Sequence, residues 1–79
     1  MANEWIYLVE EYLKDAGFDP FLYYIKPMKD VVEVDFDDQG AVFYIIDDIR
    51  KTPYHKEFIV DYKKTVNSKR HTAVFYRRD

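Results

Sequence analysis

The sequence predicts an α+β fold in a single domain spanning residues 1–79, with one antiparallel sheet of three or four strands, an N-terminal amphipathic helix and scope for a second helix. Three observations carry this expectation. Trp5, Leu8, Val9, Tyr12, Leu13 and Ala16 recur at three- and four-residue steps, the spacing of one helical face. Val32, Val34 and Phe36 alternate with Glu33, Asp35 and Asp37, the period of a half-buried strand. The length of 79 residues leaves no room for a second core.

The first helix is expected over residues 3–16. Asn3 can cap its start by accepting from the free N–H groups of the first turn. Gly17 can take the left-handed conformation that ends a helix, with Phe18 packing back on the last turn. Residues 19–29 read two ways. Asp19-Pro20 looks like a cap followed by proline at the first helical position, and Pro27 would end such a helix. The run Phe21-Leu22-Tyr23-Tyr24-Ile25 has strand chemistry. The reading favours a short helix or turn.

Residues 31–37 and 41–47 read as a β-hairpin around Asp38-Gln39-Gly40, a three-residue loop whose glycine takes positive φ. That register sets Val42, Tyr44 and Ile46 beside Val32, Val34 and Phe36 on the core face. Glu33, Asp35 and Asp37 then share the opposite face with Phe43 and Ile45, which are the expected dimer contacts. Residues 53–67 fit either element. Thr52-Pro53 is a good helix start and Phe58, Ile59, Tyr62 and Val66 make a helical stripe, yet Phe58, Val60 and Tyr62 also alternate. Asn67-Ser68-Lys69-Arg70 reads as a turn, and residues 71–77 as a final strand.

So short a chain buries only about 60% of its unfolded surface. The sequence holds no Cys, so disulfides and thiolate metal sites are excluded. Dense aromatic packing and oligomerisation are the remaining supports, and eight Tyr, six Phe and one Trp supply the first. A homodimer is therefore expected. The longest apolar runs, such as 41–46, are too short to span a bilayer, and the first residues lack the pattern of a signal peptide. The expected location is the cytoplasm, with no membrane contact.

Charge is the strongest functional signal. Residues 1–50 hold 12 acids and 4 bases, net −8, while residues 51–79 hold 3 acids and 8 bases, net +5, giving the formal −3. Residues 30–48 carry Asp30, Glu33, Asp35, Asp37, Asp38, Asp47 and Asp48 without one Lys or Arg. On a strand, Glu33, Asp35 and Asp37 would stand about 6.6–6.8 Å apart in a row. Such a row is a sparse likeness of DNA phosphates, which repeat every ~3.4 Å of axis per strand. A solvated, edge-protecting face is the plainer explanation for any single Asp. Seven uncompensated acids repel one another, however, where Asn, Thr or Ser would solvate the face freely, and this favours a binding role.

Other chemistries are weaker. Asp35, Asp37 and Asp38 are hard oxygen ligands, but position 12 of a calcium loop counted from Asp35 is Ile46, so the motif fails and no metal is expected. Lys63, Lys64, Lys69, Arg70, His71, Arg77 and Arg78 interleave with Tyr62, Phe75 and Tyr76, the chemistry of single-strand binding, yet the sequence pI is near 5.3. Two His, one Ser and no glycine-rich phosphate loop offer no catalytic constellation, so neither an enzyme nor a cofactor is expected.

In length, lack of Cys, aromatic density and the acid run from Asp30 to Asp48, the chain resembles the small acidic host-takeover proteins of large bacterial phages. More narrowly it is similar to their DNA-mimic type, which occupies a host nucleoid protein such as HU. The basic last third departs from the uniformly acidic members of that type. The resemblance implies a dimer that joins two acidic surfaces into one stripe, acting in the host cytoplasm. The expected function is thus a non-enzymatic inhibitor that shows an acidic surface to a basic DNA-binding protein and does not itself bind duplex DNA. The alternatives are a nucleic-acid-binding module using the basic aromatic segment, or a plain interaction or assembly protein.

Overall fold

The computed structural model describes residues 5–64 and 67–78. Helix α1 runs Ile6–Asp15 and buries Val9, Tyr12 and Leu13, the centre of the expected stripe. It ends as the sequence predicts. Gly17 has φ 87°, the Gly17 N–H donates to Lys14 O at 3.0 Å and the Phe18 N–H to Leu13 O at 3.0 Å. The proposed cap Asn3 lies outside the described residues.

The ambiguous segment 19–29 divides between its two readings. The Asp19 carboxylate accepts from the Phe21 N–H at 3.0 Å and starts one 3₁₀ turn, Pro20–Leu22. Strand β1 follows at once, Tyr23–Pro27, and Pro27 is tolerated because β1 lies at a sheet edge. Strand β2 is Val31–Phe36.

The second half of the expected hairpin is a helix instead. Residues 41–47 fall within α2, Gln39–Asp48. Asp38 is not a loop residue but its cap, accepting from the Gly40 N–H at 3.0 Å. Val42, Ile45 and Ile49, at steps of three and four, turn one stripe into the core. Residues 53–67 again combine both readings. Thr52 caps a 3₁₀ turn, Pro53–Lys56, and strand β3 runs Phe58–Lys64. Val66, counted in the alternative stripe, lies outside the described residues. Strand β4 is His71–Arg77, as expected.

The sheet is fully antiparallel with order β1-β2-β4-β3. Two hairpins, β1–β2 and β3–β4, lie side by side, and α2 carries the chain from β2 across to β3. This is an α+β fold with both helices on one face. There Val32, Val34, Phe36, Phe58, Val60, Ala73 and Phe75 meet Val9, Tyr12, Leu13, Val42 and Ile45. Rings dominate this core. Phe58 and Phe75 meet edge to face at 5.5 Å, and Tyr12 lies 6.2 Å from Phe75. Each fully buried aromatic contributes about 1.5–3 kcal/mol, which is how so short a chain holds together. Among the described residues no helix is long and apolar enough to cross a membrane.

The other face of the sheet has no helix over it, yet its centre is covered. Glu33 is 9% and Asp35 6% exposed. Lys26 on β1 reaches Asp35 at 3.3 Å, and Thr72 donates to Asp35 at 2.7 Å. Lys63 on β3 reaches Glu33 at 3.0 Å, so its stem must cross the intervening β4, about two strand spacings. That crossing explains why Thr72 and Val74 are also buried on a face without helices.

Candidate functional site

The seven predicted acids do not form one row. Without the hairpin, Glu33 and Asp35 sit beneath lysines at the centre of the open face, each with its charge matched. Asp30 is exposed in the β1–β2 turn, and Asp37 and Asp38 are exposed just before α2. Asp47 is on the surface of α2 and pairs with Lys51 at 3.3 Å. Asp48 faces elsewhere, into a cleft between the two helices. Of the two expected dimer contacts, Phe43 is 50% exposed and stacked on Tyr62 at 5.1 Å. Ile45 is fully buried, because the helical period turns it inward where a strand would have turned it out.

The cleft that receives Asp48 is built by three elements. Helix α1 supplies Glu11, Tyr12 and Asp15, with Glu11 and Asp15 one turn apart on one face. Helix α2 supplies Tyr44 and Asp48, again one turn apart. The turn after Thr52 brings in Tyr54. Together Tyr12, Asp15, Tyr44, Asp48, Thr52 and Tyr54 line a cavity of about 220 Å³. A second hollow of about 370 Å³ continues from it past Asp15 and Tyr54 to Glu11 and Glu57.

Phenols hold the carboxylates in place. Tyr12 donates its hydroxyl proton to Asp48 at 2.9 Å. The Tyr54 hydroxyl lies 2.8 Å from Asp15 and 3.3 Å from Glu11, so one proton serves two carboxylates. The rings of Tyr12 and Tyr54 meet nearly edge to face at 5.4 Å. Loss of hydration, then the Asp48 bond and charge, push the Tyr12 hydroxyl well above its ordinary pKa. Loss of hydration, followed by Asp15 and Glu11, does the same to Tyr54. Both phenols therefore stay protonated and remain donors at neutral pH.

No Lys or Arg among the described residues forms an ion pair with Glu11, Asp15 or Asp48, whereas Glu33, Asp35, Asp47 and Glu57 all have one. The cleft is thus the place where acidic charge gathers without internal compensation. Glu11, Asp15, Glu57, Tyr12 and Tyr54 lie outside the acid run that dominates the sequence, while Tyr44 and Asp48 fall within it. The one local signal for them is the four-residue step from Glu11 to Asp15 on a strongly patterned helix. Among the described residues no group of three or more His, Asp or Glu is placed to hold a metal ion.

The basic segment is partly absorbed by the fold. Lys63 is bound to Glu33, which with its charge raises the Lys63 pKa, and Lys64 donates to Ser68 O. Arg77 pairs with Glu57 at 2.9 Å. Lys69 and Arg70 remain exposed at the β3–β4 turn. Comparison of the chain with protein-family models, with curated proteins and with solved structures finds no match.

Proposed function

We propose that the protein is a non-enzymatic, protein-binding inhibitor whose acidic, tyrosine-lined helical cleft receives basic side chains of a DNA-binding protein. One observation carries the reading. Glu11, Asp15 and Asp48 converge on a single cleft, pinned by Tyr12 and Tyr54, and no Lys or Arg among the described residues pairs with them. A carboxylate cluster held by tyrosine hydroxyl donors is preorganised for Lys or Arg and needs no rearrangement to accept them. Tyrosine faces add an attraction for the same cations, about 0.5–2 kcal/mol each. DNA mimicry in this reading belongs to the helical face. The sheet acids Glu33 and Asp35 support the fold from below. The protein acts in the cytoplasm, as a dimer to which exposed Phe43 contributes.

The test is competition. A purified nucleoid protein of the HU type, mixed with the wild-type chain, should give a complex that salt weakens and duplex DNA displaces. The double variant Glu11→Gln/Asp15→Asn should bind at least tenfold more weakly while its circular dichroism and melting stay close to wild type. A folded double variant that binds equally well would overturn the reading. So would a gel shift of labelled nucleic acid by the protein alone that disappears when Lys63, Lys64, Lys69 and Arg70 become Ala.

A further inference from the structure

A third hollow, away from the acidic cleft, has the opposite charge. It lies between the end of α2, the Pro53–Lys56 turn and β3, and encloses about 170 Å³. Arg50, His55 and Arg78 supply its polar wall, and Ile46, Ile59 and Val60 part of its apolar one. Among the described residues no carboxylate lines it. Of the described acids nearby in the chain, Asp48 accepts from Tyr12, Asp47 pairs with Lys51 and Glu57 pairs with Arg77.

Two of the three polar groups are fixed by the backbone. Arg78 donates from Nε to His55 O at 3.0 Å, which orients the guanidinium and leaves both terminal nitrogens to donate elsewhere. His55 Nδ1 lies 2.6 Å from Thr52 O. A carbonyl can only accept, so Nδ1 carries the proton and Nε2 is left to accept from a protonated phosphoryl oxygen. Arg50 is exposed and forms no ion pair among the described residues.

From this arrangement we infer that the hollow is a binding site for a small organic phosphate ester, its phosphoryl group held by Arg50, Arg78 and His55 and its carbon body resting on Ile46 and Ile59. Two guanidinium forks from different segments suit a tetrahedral group with three free oxygens better than a flat carboxylate with two. The apolar wall gives a reason for an ester over the free ion, since bare phosphate would leave Ile46 and Ile59 uncovered. The site stands apart from the acidic cleft and does not rest on the inhibitor reading.

Titration with phenyl phosphate at constant ionic strength, followed by backbone amide shifts, tests the assignment. Saturable shifts centred on Ile46, Ile59 and Arg78 are expected, with a Kd of about 1 mM, the ordinary range for so small a ligand. Inorganic phosphate and benzoate should each bind at least fivefold more weakly. Arg50→Ala, which removes no side-chain bond among the described residues, should weaken phenyl phosphate at least tenfold, and Arg50→Lys should not restore it. Arg78→Ala should do the same. Shifts spread equally over Lys69 and Arg70, equal response to benzoate, or an Arg50→Ala variant that binds normally would each overturn the proposal. So would a short single-stranded oligonucleotide that moves the same signals at a hundredfold lower concentration, since the hollow would then be a nucleic-acid contact.

Discussion

Replacing Tyr12 with Phe removes one hydroxyl from the helical cleft and leaves the ring where it is. The ring keeps its contacts with Tyr54 and Phe75, so the loss is confined to the 2.9 Å bond to Asp48. A hydrogen bond to a charged group contributes about 1.5–3 kcal/mol. Asp48 borders an open cavity where water can replace the phenol, which places the loss at the lower end, about 1.5 kcal/mol. For a domain this size that lowers the melting temperature by roughly 6–12 °C. The pH dependence gives an independent check. The folded-state pKa of Tyr12 lies above its unfolded value of 10.0, so the unfolded chain releases this proton first as pH rises. Above pH 10 the unfolded state binds fewer protons than the folded one, and the Tyr12 contribution falls by about 1.4 kcal/mol per pH unit. It is fully present below pH 10 and is lost progressively above it. Wild type and Tyr12→Phe should therefore differ by a constant amount from pH 7 to 9 and converge near pH 11. Urea unfolding followed by circular dichroism at pH 7, 9, 10 and 11 measures both. A variant as stable as wild type at pH 7, or a gap that stays constant to pH 11, would refute the assigned role of the phenol.

Two further perturbations separate the helix from the hairpin and the sheet pairs from the surface acids. Ile45→Ala should cost about 2–4 kcal/mol, whereas Phe43→Ala, at a half-exposed ring stacked on Tyr62, should cost about 1 kcal/mol, both read from urea midpoints. The reverse ranking would restore the hairpin. Asp35→Lys should cost more than about 3 kcal/mol, because it buries a second cation beside Lys26 and strands the Thr72 hydroxyl. Asp37→Lys, on an exposed residue, should change stability by less than about 0.5 kcal/mol, and equal melting curves for the two variants would show that Asp35 is not paired as described.

The elements legible in the sequence were those with a single period and clear punctuation. The α1 stripe closes at Gly17, β2 alternates cleanly, and Thr52-Pro53 does start a turn. Residues 41–46 offered no such choice, because every position is apolar or aromatic and satisfies both periods. Tertiary competition decides it: β4 takes the place beside β2 that a hairpin partner would have filled, so the segment must leave the sheet. Ile49, one turn beyond the expected strand, was the missing mark of a helical stripe. The same misreading displaced the site. Glu33 and Asp35 looked solvated because their lysine partners, 30 and 9 residues away in sequence, are invisible to local pattern. The cleft was hidden for a like reason, since Asp15, Asp48 and Tyr54 come from three separate elements and share no motif.

The placement of β4 bears on how the chain reaches its folded state during synthesis. Residues 71–77 emerge after the other three strands, yet they occupy an interior lane of the sheet, between β2 and β3. Until they arrive, the β1–β2 hairpin and the isolated β3 each present an unsatisfied backbone edge, and the ring-rich core lacks Phe75. The nascent protein is therefore vulnerable to intermolecular strand pairing until β4 inserts. Insertion then joins both edges in one event, which favours a single cooperative closing of the sheet over stepwise growth from the N-terminus.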